Sequence, residues 1–324
     1  MIEGIPRISV VIICYKQEDL IKRAINSLLV QRDYIYEICV SDDCSPDKTW
    51  EVLQEYEQDY PGLFKLQRHD PNVGIFQNIE STWSMPSGDI ICRLAGDDEC
   101  GEGWLKTVIQ YIQDNNIDYK NELFCIYGDY AAVYPNNDYV IVKNDLVKGS
   151  KNLLSQALRG MISNRGACYS IKIMKEFKKA SLGKSHIAES SIDRQLQVFA
   201  THSYYIPKIG NLYHTGVGVS TTIKRRSEIM KEREMQYPYT IKFLSSLGAE
   251  ISSKDVAYLT SKSLAHTIQL DSSTKKRVLH RFLKLIKSIE GFDFKCFLKK
   301  NNLGRIIFSL FRKIPHSTPW HYTA

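Results

Sequence analysis

Nothing in this chain of 324 residues stays apolar for long. The longest such run, Ile8 to Cys14, is already interrupted by Ser9, whereas a helix crossing a bilayer needs about 20 apolar residues. Mean hydropathy is −0.28, so no membrane span is expected. The run does not read as a secretory leader either. Pro6 and Arg7 precede it, but Lys16, Glu18 and Asp19 arrive before any small-residue cleavage site. The cytoplasm is therefore the expected location. Paired metal-type cysteines are also missing: the eight cysteines, at 14, 39, 44, 92, 100, 125, 168 and 296, include no C-x-x-C and no histidine-spaced finger. That argues against zinc and disulfide frameworks and for reduced thiols packed as small hydrophobes. No glycine-rich turn follows the first apolar run, which continues Cys14-Tyr15-Lys16-Gln17. This removes a P-loop and a dinucleotide-binding fingerprint, and Gly216-Val217-Gly218 follows no turn of the right kind.

What remains is ordinary globular composition, 43% hydrophobic and 24% charged, in a chain long enough for about two domains. The net charge of +7 is unevenly spread. Between Lys275 and Lys313, twelve Lys and Arg face only Glu290 and Asp293, so the basicity belongs to the tail.

The first half alternates strand and helix periods. Ile8–Cys14 is a β-branched run suited to a strand buried on both faces. Ile21, Ala24, Ile25, Leu28 and Leu29 then repeat at helical spacing. Ile35–Val40 predicts a second strand. Ser45 and Pro46 predict a helix start, with Ser45 as cap, and Tyr60-Pro61-Gly62 predicts its end. Phe64–Gln67 predicts a third strand, Asn72 to Gly74 a turn into a helix containing Asn78, and Ile90–Ala95 a fourth strand. This order implies an α/β fold with a mostly parallel sheet and helices on both faces. Residues 1–220 are expected to form that domain and 221–324 a helical appendage. In the appendage Arg225–Gln236, Ala257–Leu270 and two basic amphipathic stretches read as helices, the first stretch with Val278, Phe282, Leu285, Ile286 and Ile289 on one face.

Ligands of parallel sheets bind at the carboxyl ends of the strands, and here those ends are acidic: Ser41-Asp42-Asp43 and Gly96-Asp97-Asp98-Glu99. Carboxylates brought together repel unless a cation or hydrogen-bond donors lie between them. Oxygen ligands without His or Cys suit Mg²⁺ or Mn²⁺, ions that share their coordination with substrate phosphates. A nucleoside diphosphate bound through a metal is the expected ligand. Loop acids also hold helix starts, a role open to Asp47 and Asp43.

These motifs resemble those of the family 2 glycosyltransferases, inverting enzymes of a Rossmann-like glycosyltransferase A-type fold, many of which build bacterial surface polysaccharides. The resemblance rests on the strand Ile8 to Cys14 with Tyr15, on Ser41-Asp42-Asp43-Cys44-Ser45-x-Asp47, on Asn72-x-Gly74 with Asn78, and on Gly88-Asp89-Ile90-Ile91 followed by Gly96-Asp97-Asp98-Glu99. It covers roughly residues 7–220. It implies a nucleotide-sugar donor, typically UDP-linked, lined by Tyr15, Glu18, Asp42, Asp43, Asn72, Gly74, Asn78, Gly96 and Asp97. Asp42 would accept from the base. Asp97 takes the last position of the family's D-x-D metal motif, whose first acidic position is here Ala95, which implies either weaker metal binding or a ligand supplied by Asp98, Glu99 or water. His214, after Tyr213 and before Gly216, is a further metal or phosphate contact. The general base an inverting transfer requires falls on Asp193, with Glu189 second. Both lie in Ala188-Glu189-Ser190-Ser191-Ile192-Asp193, and their i, i+4 spacing allows one helix face. Asn164 and Arg165 lie where the family places acceptor-facing residues.

The implied acceptor is a glycan or lipid-linked oligosaccharide of O-antigen or capsule type. The basic tail then suits peripheral contact with an anionic membrane, and no nucleic-acid motif is present. Ala95 also leaves open a catalytically inactive nucleotide-sugar-binding or scaffold protein of the same fold.

Overall fold

A computed structural model describes residues 4–144, 165–179, 200 and 202–217. All of them belong to the first of two compact units, Met1–Arg233 and Glu234–Ala324. The basic tail, Asn164, Glu189 and Asp193 lie outside the described residues. No helix among the described residues is long and apolar enough to cross a membrane.

In chain order the elements are β1 (Ile8–Cys14), α1 (Leu20–Leu29), β2 (Glu37–Asp42), α2 (Thr49–Asp59), β3 (Phe64–Arg68), α3 (Ile75–Thr82), β4 (Ile90–Ala95), β5 (Glu99–Cys100), α4 (Trp104–Asp114), β6 (Phe124–Val133), β7 (Tyr139–Val142), β8 (Cys168–Ser170), α5 (Ile171–Lys179) and β9 (His202–His214). The strands form one sheet in the order β3-β2-β1-β4-β8-β6-β9-β5, with β7 paired to β6. The expected parallel arrangement holds for β3, β2, β1 and β4. Beyond β4 the sheet becomes mixed: β8 runs antiparallel to β4 and β6, β6 and β9 are parallel, β5 pairs antiparallel with β9, and β7 pairs antiparallel with β6.

Two cores flank the sheet, as two-faced burial of a β-branched sheet requires. On one face Val10, Ile12, Ile38, Val40 and Leu94 meet α1, α2 and α4. On the other Val11, Cys39, Ile91, Cys125 and Tyr169 meet α3 and α5. The expected stripe of α1 points inward, with Ile21, Ala24, Ile25 and Leu28 fully buried. Burying each Ile or Leu contributes about 1.5–3 kcal/mol, enough to hold a ten-residue helix whose isolated stability is marginal. Trp104 opens α4 and is wholly buried, its ring against Gly128 and Gly210, where any Cβ would stand 2.9 Å from ring carbons. Its Nε1–H donates to Gly166 O at 2.8 Å, tying α4 to the loop before β8.

Three local expectations are corrected. The second strand extends to Asp42, because Cys14 of β1 pairs with it. The third strand ends one residue later than expected, at Arg68. The helix after the acidic pair begins at Thr49, not at Pro46. Ser45 is taken up by Asp42 instead, and Asp47 Oδ1 receives the first-turn N–H of Thr49 at 3.2 Å. Every described cysteine is free, and all but Cys44 are buried, in keeping with core thiols.

Candidate functional site

The carboxyl ends of β2, β1 and β4 lie side by side, since Cys14 pairs with Asp42 and Ile13 with Ala95. The loop leaving β1 is strapped to the loop leaving β2 by three consecutive backbone donors. Lys16 N–H reaches Ser45 Oγ at 2.9 Å, Gln17 N–H reaches Thr49 Oγ1 at 2.8 Å, and Glu18 N–H reaches Asp47 Oδ2 at 3.4 Å. Glu18 returns the contact, its Oε2 accepting Lys48 N–H at 2.8 Å where α2 begins. Lys16 and Cys44 both take positive φ, 57° and 58°. Each of these L-residues adopts the left-handed region at a cost of about 1–2 kcal/mol. Tyr15 is half-buried beside them, with Lys16 Nζ 5.2 Å from its ring centroid.

Asp42 is completely buried. Its carboxylate accepts Ser45 N–H at 3.1 Å and the Ser45 hydroxyl, and it pairs with Arg68 Nε at 3.4 Å. Arg68 also donates to Ser45 O at 2.9 Å and lies over Trp50. Asp43 works toward the other side. Its two oxygens accept the N–H groups of Val73 at 2.7 Å and Gly74 at 2.9 Å, and its carbonyl accepts Asn72 Nδ2 at 2.6 Å. Gly74, at φ 85°, precedes α3, so Asp43 sits where a helix start favours negative charge. Asn78, one turn into α3, donates to Ser41 O at 3.2 Å, while its own Oδ1 and Ser41 Oγ have no hydrogen-bond partner among the described residues. The strand-end acids thus escape mutual repulsion through hydrogen-bond donors.

The second acidic segment follows β4 directly. Gly96 has no room for a side chain: a Cβ there would run into Gln17 Oε1 and stand 3.2 Å from Ile13 O. Asp97 is half-buried and its carbonyl accepts Arg23 Nη2 at 2.6 Å. Asp98 is buried. It pairs with Arg165 Nη1 at 3.3 Å and accepts the backbone N–H of His214 at 3.2 Å. Arg165 is also stacked on Tyr213, 3.4 Å from its ring centroid, with Tyr130 at 5.6 Å. Glu99 receives His214 Nε2 at 2.5 Å and lies 3.7 Å from Arg23 Nε.

The residues singled out from the sequence therefore fall into two groups. Asp42, Asp43, Glu18, Asn72, Gly74 and Asn78 build the loops over β1 and β2. Asp97, Asp98, His214 and Arg165 meet at the turn beyond β4. Arg23, Thr49 and Arg68 carry no spacing signal for these roles, because each meets a residue more than 20 positions away; Ser45, which the sequence marks as a helix cap, instead holds Asp42 and receives the Lys16 N–H. Among the described residues no three of His, Cys, Asp and Glu are grouped to enclose an ion. Mg²⁺ and Mn²⁺ are commonly held by one or two carboxylates together with substrate phosphates; Asp97 would supply the carboxylate of such a sparse set, and the His214 ring, anchored on the neighbouring Asp98 and Glu99, would add a nitrogen.

The sheet, with its acidic turn at the strand ends, is a glycosyltransferase A-type α/β arrangement. Residues 9–121 match the model described as glycosyl transferase family 2, a segment that runs from β1 to just past α4. An uncharacterised protein of Mycobacterium tuberculosis is 33% identical over 91 residues, 28% of this chain and 26% of that protein. GalNAc(5)-diNAcBac-PP-undecaprenol beta-1,3-glucosyltransferase of Campylobacter jejuni is 30% identical over 105 residues, 32% of this chain and 34% of that protein. The matches thus span only a quarter to a third of these relatives' lengths. Residues 1–349 of Staphylococcus aureus TarS, solved with UDP-GlcNAc, give a TM-score of 0.63 at 14% identity, covering 87% of this chain and 81% of that one. Mannosyltransferase PcManGT of Pyrobaculum calidifontis, solved with GDP-Man and Mn²⁺, gives 0.51 at 12% identity, covering 95% and 86%. At these identities the structural likeness is one of fold.

Proposed function

We propose that this chain is an inverting glycosyltransferase that moves a sugar from a UDP-linked donor to a hydroxyl of a glycan or lipid-linked oligosaccharide acceptor, in the assembly of a surface polysaccharide of O-antigen or capsule type. The observation that carries the reading is the Gly96–Glu99 turn. It leaves the end of β4 next to the strapped loops of β1 and β2, inside the segment that matches family 2. UDP as the nucleotide is supported by the UDP-GlcNAc complex of a protein with the same fold, and a lipid-linked acceptor by the name of the Campylobacter relative.

In this reading Tyr15 and the Asp43–Asn72 loop flank the nucleoside, and the Asp97 carboxylate with His214 faces the diphosphate. Mg²⁺ or Mn²⁺ held there would neutralise charge developing on the departing diphosphate. Asp193, or Glu189 in its place, takes the proton of the acceptor hydroxyl as it attacks from the opposite side. Arg165, with Asn164, faces the acceptor. The basic tail would bring the protein to the cytoplasmic face of an anionic membrane, which flotation of the full chain with anionic against neutral vesicles checks.

A thermal-shift panel of UDP-, GDP- and dTDP-sugars, with and without Mn²⁺, tests the donor site, since a ligand stabilises the state that binds it. The expected result is a metal-dependent shift with UDP-sugars that Asp97→Ala loses. No shift with any nucleotide would refute the reading. A shift without donor hydrolysis would leave a nucleotide-sugar-binding protein in place of the enzyme.

A further inference from the structure

We infer that Glu99 is a positioning residue for His214, fixing which ring nitrogen the histidine turns toward the metal-bound diphosphate; the inference rests on the donor-site reading above. β5 pairs antiparallel with β9 so that Glu99 lies opposite Leu212, and His214, two residues along, shares that face. The carboxylate and the ring meet at 2.5 Å through Glu99 Oε1 and His214 Nε2, with both side chains largely buried. An ionised carboxylate only accepts hydrogen bonds, so the proton in this contact belongs to Nε2. In the neutral ring the lone pair is then on Nδ1, the nitrogen that remains to meet a cation.

The residue is held at its backbone as well as at its ring. Its backbone N–H is anchored on Asp98 Oδ1 at 3.2 Å. Glu99 is in turn faced by Arg23 Nε at 3.7 Å, and the same guanidinium binds Asp97 O at 2.6 Å. One arginine from α1 therefore ties the main chain at Asp97 to the carboxylate that orients His214. With Ala95 in place of an acidic residue, the site depends more heavily on the direction of its remaining donors. A carboxylate behind a ligating histidine fixes the tautomer and raises the basicity of the other nitrogen.

The test measures Mn²⁺ affinity of the full-length protein–UDP complex from the electron paramagnetic resonance signal of free Mn²⁺, alongside UDP affinity in EDTA. Glu99→Ala is expected to weaken Mn²⁺ binding about 10- to 100-fold while UDP affinity in EDTA stays within about twofold. Glu99→Gln should recover most of the loss, because its amide oxygen still accepts from Nε2; if the alanine variant folds poorly, Glu99→Leu, which fills the space but accepts no hydrogen bond, carries the test with the same expected loss. In a His214→Ala background Glu99→Ala should add nothing. An equal loss in both backgrounds, an unchanged Mn²⁺ affinity, or a loss confined to metal-free UDP binding would each overturn the assignment. Wild-type protein that binds no UDP at all would overturn the donor-site reading itself, and this inference with it.

Discussion

Replacing Asp42 separates two roles for a strand-end carboxylate. As a contact to the nucleotide base, its loss would weaken donor binding and leave the fold intact. As the clamp drawn above, its loss strikes the fold first. Asp42→Ala strips the acceptor from Ser45 N–H in a place that water does not reach, since Asp42 and Ser45 are both buried. A buried donor left without a partner costs about 1–3 kcal/mol. The Ser45 hydroxyl loses its acceptor as well, though it keeps its bond from Lys16 N–H. The ion pair with Arg68 adds little, because the Arg68 side chain is 37% exposed and such pairs contribute about 0–1 kcal/mol.

The sum is a destabilisation of about 1–4 kcal/mol. For a unit of this size 1 kcal/mol shifts the melting temperature by about 2–4 °C, so Asp42→Ala should melt roughly 2–16 °C below wild type. Asp42→Asn keeps an oxygen for Ser45 N–H and offers an N–H₂ to its hydroxyl, and should lose only about 1 kcal/mol. Thermal melts of the three proteins, each with and without UDP and Mn²⁺, decide the matter. If Asp42→Ala melts with wild type while losing its response to UDP, the clamp argument is wrong and Asp42 is a ligand contact.

Gly96→Ala forces a Cβ against the buried Gln17 oxygen. It should cost about 1–3 kcal/mol by overpacking, part of which Gln17→Ala restores in the same melting assay. Glu37 gives the pH prediction. Burial pushes its carboxyl up, but hydrogen bonds from Lys65, Ser87 and Ser9 outweigh this and hold it below the ordinary value. A group depressed in the folded state contributes fully above its unfolded pKa of about 4.3 and loses that contribution as pH falls through the folded value. Melting temperatures should therefore fall on acidification below about pH 4.5, and less steeply in Glu37→Gln. Thiol chemistry should follow burial: Cys39 is pushed up to about 12 by burial and the nearby Glu37. In native protein at pH 8, peptide mapping after alkylation should find Cys44 labelled and Cys39, Cys92, Cys125 and Cys168 protected; labelling of Cys39 at the rate of Cys44 would contradict the placement of β2.

The elements legible from the sequence are those whose signal is local. Ile8–Cys14 is apolar throughout because the strand is covered on both sides, and α1 declares itself by a stripe that one sheet face buries. The limits of β2 and α2 lie two or three residues from where the local pattern puts them, because polar neighbours compete for the same partners. Asp42 looks like a loop residue until Cys14 draws it into the ladder, and Ser45 looks like a helix cap until Asp42 claims its hydroxyl. The strands beyond β4 left little trace. β9 carries Pro207 and few fully buried side chains, and it pairs with β6 from about 80 residues away. The same distance hides the chemistry of the candidate site. Asp97, Asp98 and Glu99 are visible as an acidic cluster, and repulsion among them is the first physical inference such a cluster invites. What relieves it, Arg23 from α1, Arg165 from the loop before β8 and His214 from the end of β9, is drawn from positions 67 to 116 residues apart from their partners. An acidic strand end thus announces that counter-groups must exist without saying whether they are cations from solution or side chains of the chain. Here Asp98 and Glu99 are answered by the chain itself, through Arg165 and His214.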